Sequence, residues 1–102
     1  MSLLNGWHNI MADNIFYVKG EMNFSTAENV LRASLAFLSQ QSEWKCDFSS
    51  VTACDSAGLA LLIEWIKLAQ QKNKPLQLLH LPIQLTSMAA ASGLDSLLLL
   101  YK

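Results

Sequence analysis

The chain has 102 residues, enough for one packed domain (1–102) and too few for two separate cores. Hydrophobic residues make up 52% and charged residues 15%, against about 25% charged in an average soluble domain. Either the core is unusually full or apolar surface is left over as a contact patch. The formal net charge is −1, and with no run of Lys or Arg the chain lacks the electrostatic footprint of a binder of nucleic acid or anionic membrane.

The amino terminus, MSLLNGWHN, has no basic segment followed by a long apolar run, so no signal peptide is expected. The longest apolar run, near 57–63, is too short to cross a bilayer, so membrane insertion is not expected either. A cytoplasmic domain is the expectation. Cys46 and Cys54 form no CxxC or metal-spaced cluster and read as reduced, mostly buried thiols.

In chain order, residues 7–11, the turn Ala12-Asp13-Asn14 and residues 15–22 read as a hairpin, the second arm alternating with period two. Ser25-Thr26-Ala27-Glu28 has the S-x-x-E pattern of a capping box. Ala27, Val30, Leu31, Ser34, Leu35 and Leu38 then mark one face of a first helix. Residues 44–48 are short, apolar and aromatic, a central strand with 49–54 as its exit loop. A second helix runs from Ser56 to about Asn73, where Lys72-Asn73-Lys74-Pro75 supplies cations and a proline stop. Residues 76–81 read as a strand, Pro82 opens a third helix to about Ala91, and Gly93 ends it. Residues 96–101 read as a last strand or an apolar tail. The pattern β-β-α-β-α-β-α-β predicts an α/β domain with a mixed sheet of four to five strands covered by about three helices.

The second helix carries the most information. On a wheel turning about 100° per residue, Leu59, Leu62, Ile63, Ile66 and Ala69 cluster and are expected to face the sheet. Leu61, Trp65 and Leu68 fall on another side, with Gly58 on the same stripe. The apolar arc spans roughly 200° or more, where a surface helix needs little over 100°. Two explanations stay open: another helix of the same chain covers this flank, or it is an exposed patch with Trp65 as anchor. At the helix head, Asp55 and Ser56 can both cap free amides. Gly58 inside the first turn costs roughly 0.5–1 kcal/mol relative to alanine, which points to a close approach of another group to the backbone. A phosphate on Ser56 would suit a helix amino terminus; a plain cap is the simpler role.

The segment Cys46-Asp47-Phe48-Ser49-Ser50-Val51-Thr52-Ala53-Cys54-Asp55-Ser56-Ala57-Gly58-Leu59 resembles the signature of STAS domains, in which a strand leads through D-[ST]-x-G-L into a long helix. The resemblance covers nearly the whole chain and implies a STAS fold. It implies a binding module with two variants. In one, the domain is the STAS subunit of a phospholipid-moving ABC transporter of the Mla type, which docks on the ATP-binding subunit (MlaF-like) and supports lipid asymmetry of the outer membrane. In the other, it is an anti-sigma factor antagonist, phosphorylated on Ser56 by a serine kinase. The tryptophan-bearing amino terminus, the G-L-A-L-L continuation and the length of about 100 residues look closer to the transporter subunit. Asp55, Ser56, Ala57, Gly58, Leu61, Trp65 and Leu68 are the residues expected to bind the partner. No enzyme is expected: His8 and His80 lie in no catalytic motif, no GxGxxG or GxxxxGK[ST] loop is present, and no cofactor or metal is implied.

Overall fold

The computed structural model describes residues 14–102. The elements are β1 (Ile15–Met22), α1 (Ala27–Leu38), β2 (Trp44–Cys54), α2 (Ser56–Gln71), β3 (Leu76–Leu79), α3 (Ile83–Ala91) and α4 (Asp95–Leu99). The three strands form one sheet in the order β1-β2-β3, and both pairings are parallel. Helices α1 and α2 supply the two crossovers that parallel neighbours require. The expected mixed sheet of four to five strands is thus a three-stranded parallel sheet among the described residues. The other arm of the expected hairpin, residues 7–11, lies outside them.

Two further differences have physical causes. Strand β2 does not end at Phe48; it runs on to Cys54, pairing there with β1 alone, and the register slips at two places along that pairing. Such irregularities let an outer strand end bend while keeping its ladder. Residues 96–101 do not form a strand. Gly93, at φ 75°, stops α3, and Asp95 sits in the first turn of the short helix α4. An unbroken leucine run has no period to distinguish strand from helix, and leucine is a good helix former. The Tyr101 carbonyl still accepts a 2.6 Å hydrogen bond from the Leu78 amide, so the chain end caps the open edge of β3.

The helix ends are set by local chemistry. Helix α1 begins without the capping box read from Ser25 and Glu28. The Asn23 side-chain oxygen accepts instead from the amides of Ser25 and Thr26, while the Thr26 hydroxyl accepts from the Asn23 amide and donates to the Glu21 carbonyl. Glu28 pairs with Arg32 one turn on. Helix α2 ends at Gln71 because Asn73 takes a left-handed φ of 55° and the Lys74 amide returns to the Ala69 carbonyl.

The core lies between the sheet and the helices. Trp44, Cys46 and Phe48 alternate inward from β2, with Phe16, Val18 and Met22 beside them on β1, and all are buried. Phe48 meets Trp65 of α2 edge to face, ring centres 5.7 Å apart. From α1 come Ser34, Phe37 and Leu38. Leu85 and Ala89 of α3 close the far side.

Candidate docking site at the head of helix α2

Seven residues of α2 are buried: Gly58, Leu59, Leu61, Leu62, Trp65, Ile66 and Ala69. At about 100° per residue they span an arc of roughly 160°, centred near Leu62 and Ala69 rather than near Leu59. The helix is therefore turned from the orientation expected. Ile63 is pushed to the margin, 36% exposed. Leu61 and Trp65 are covered by their own chain, at 4% and 0% exposure, and Leu68 is half-buried against the core. Of the two explanations left open for this flank, coverage by another helix holds, and Trp65 as an exposed anchor is corrected: Trp65 Nε1 donates 2.8 Å to the Ser34 hydroxyl, locking α2 to α1. A helix laid on a sheet between two other helices buries more than one stripe.

Gly58 also faces inward. A Cβ there would lie 3.1 Å from Leu85 Cδ2 and 3.4 Å from the Cβ atoms of Cys54 and Met22. The close approach that the glycine implied is real, but the visitor is α3 of the same chain.

The first turn remains open. Asp55 is the N-cap, its carboxylate accepting 2.8 Å from the Ala57 amide. Ser56 is exposed, and its hydroxyl has no hydrogen-bond partner among the described residues. Capping thus accounts for Asp55 and leaves Ser56 free. These residues, with Ala57 and Leu61, line a groove of about 530 Å³ between the heads of α1 and α2. Phe24 stands at its lip, 90% exposed. The opposite wall is Ala27, Glu28 and Leu31 of α1, and Ala60 and Glu64 complete the α2 side.

Of the seven residues singled out in the sequence, the groove brings together Asp55, Ser56, Ala57 and Leu61; Gly58, Trp65 and Leu68 lie elsewhere. Phe24, Ala60 and the α1 wall were missed. The available signal was the pair of small residues Ala57 and Ala60 on an otherwise polar face, beside a lone aromatic preceding α1.

A second polar cluster lies along the middle of β2, beside the carboxyl end of β3. Asp47, 6% exposed, accepts from the Ser49 amide and hydroxyl on one oxygen and lies 2.8 Å from His80 Nδ1 on the other. Burial pushes its pKa up, but the Ser49 and His80 contacts outweigh that and hold it below the ordinary carboxylate value. In this order the carboxylate, not the imidazole, takes the serine's hydrogen bond, unlike a serine nucleophile and its base. His80 sits at φ 57°, turning the chain out of β3. The cluster reads as a latch for that turn. Burial pushes the Cys46 thiol up to about 12 and the Cys54 thiol is raised too, so neither is an activated nucleophile. Among the described residues no three metal-ligating side chains converge, and no helix is long and apolar enough to cross a membrane.

A parallel sheet crossed by helices, with its D-S-A-G-L segment at the head of α2, defines a small α/β domain. The chain belongs to the STAS family: the model described as "Mlab, STAS domain" matches residues 14–101, and the chain is accordingly a STAS domain protein like MlaB. No curated protein matches the sequence.

Proposed function

We propose that this chain is a non-enzymatic accessory subunit that binds the cytoplasmic ATP-binding subunit of a phospholipid-transporting ABC complex of the Mla type. It sits at the inner membrane through that partner. The observation that carries the proposal is the groove at the α2 head, which gathers the D-S-A segment, an exposed Phe24 and apolar walls on a surface that the described residues leave open. An exposed aromatic beside a preformed concavity is the usual anatomy of an interface anchor. The match to the MlaB-type model supports the choice of partner. Co-purification of the chain with the ATP-binding subunit tests this. Phe24→Ala is expected to lose the complex while keeping the fold, and wild-type recovery with that variant would count against docking at the groove.

The free Ser56 hydroxyl favours one second reading, an anti-sigma factor antagonist switched by a serine kinase. A phosphate there would place charge in the interface at a helix amino terminus. Mass spectrometry of the protein from cells separates the two: modified Ser56, with binding lost in Ser56→Asp, supports the switch.

A further inference from the structure

We propose that the groove selects a basic, apolar segment: an aliphatic or aromatic side chain of the partner, inserted between α1 and α2, with a Lys or Arg beside it. This deepens the docking function proposed above and rests on it for the identity of the partner, but not for the chemistry of the site.

The walls are apolar, formed by Phe24, Leu31, Leu61, Ala57 and Ala60, and the volume of about 530 Å³ admits one or two side chains. The rim is one-signed. Glu28, Asp55 and Glu64 line it, and no Lys or Arg does, although the sequence has seven such cations against eight acids. The cations nearest in sequence stand outside the lining. Arg32 pairs with Glu28 at 3.0 Å and Lys67 with Glu64 at 3.7 Å; Arg32, Glu28 and Lys67 are largely exposed and Glu64 is half-buried. Exposed pairs of this kind contribute little and exchange readily for a partner's cation. The α2 amino terminus pulls the other way, since a helix start carries about half a positive charge. Asp55 already caps it, and Glu28 and Glu64 supply the remaining negative sign when a partner's cation displaces their own. Opposed potentials of this sort speed encounter and reject like-charged partners.

The test is an amide-resolved NMR titration of the full chain with two probes sharing a ring and chain length, 4-phenylbutylammonium and 4-phenylbutyrate. Shifts at Ala57, Ala60 and Leu31 are expected with the ammonium, with apparent affinity at least about fivefold tighter than for the carboxylate, the scale of one exposed charge interaction. The preference should shrink with added salt and vanish in a Glu28→Gln, Glu64→Gln double variant. Equal or tighter binding of the carboxylate, or no shift in the groove with either probe, overturns the proposal. So does movement of the groove resonances when the protein alone is diluted, because a second copy would then be the occupant. No ATP-binding subunit is present, so this result and the identity of the partner stand or fall separately.

Discussion

Trp65 and Ser34, 31 positions apart, form a hydrogen-bonded pair in which both residues are fully buried, the indole Nε1–H donating 2.8 Å to the hydroxyl. Ser34 in turn donates 2.7 Å to the Leu31 carbonyl, so a single hydroxyl serves both as acceptor and donor. Ser34→Ala leaves a buried indole N–H unsatisfied and is expected to cost about 1–3 kcal/mol. Urea denaturation checks this, and a stability unchanged from wild type would mean that the bond contributes nothing. Trp65→Ala is expected to cost about 3–5 kcal/mol through the cavity it leaves. Loss of partner binding in that variant would therefore report folding.

Gly58 and Leu85 define a second contact between helices. Two effects oppose in Gly58→Ala: the helix gains up to about 1 kcal/mol of propensity, while the new methyl crowds a buried Leu85 side chain at 3.1 Å. The expected net change lies within about 1 kcal/mol of zero. Gly58→Leu has no such balance and is expected to lose 1–3 kcal/mol or more by overpacking. Thermal unfolding of the two variants separates them; equal stability would mean that α3 does not press on α2.

Acid stability should depend on Asp47. Its folded-state pKa is lowered, so its contribution is fully present above the unfolded carboxylate value of about 3.9. It fades as pH falls from there through the folded value. Asp47→Asn is expected to flatten the acid limb of stability below about pH 4. Urea midpoints measured across that range check it, and an unaltered acid limb would exclude Asp47 as a source.

The α2 cap gives a fourth expectation. Asp55→Ala removes the acceptor for the Ala57 amide and should cost about 0.5–2 kcal/mol, whereas Asp55→Asn should recover most of it. Comparing chemical denaturation of the two variants decides whether Asp55 is needed for its hydrogen bond or for its charge.

Much of the fold was legible in short-range chemistry. Alternation marked β1, the 3–4 spacing of apolar residues marked α1, and Asn73-Lys74-Pro75 marked the end of α2 within two residues. The errors arose where tertiary placement decides. The leucines of 97–100 have no period, so nothing local separated helix from strand. The wheel of α2 gave a wide apolar arc correctly, but placed Ile63 in the sheet-facing cluster and Leu61 and Trp65 outside it; α1 on one side and α3 on the other turned the buried arc toward Leu62 and Ala69. The same two neighbours claimed Trp65 and Gly58 for the core. The head of α2 was legible through Asp55, Ser56 and Ala57, whereas its partner wall on α1 depends on which helix lies beside which.

Calorimetry of the purified ATP-binding subunit with Ala60→Tyr measures the central claim most directly, because Ala60 is exposed, lines the groove and supports no core contact. Filling the groove with a ring should weaken binding at least about tenfold, as blocking an interface hot spot does, with the melting temperature unchanged. Affinity equal to wild type in a folded Ala60→Tyr protein would place the partner elsewhere and contradict docking at the α2 head.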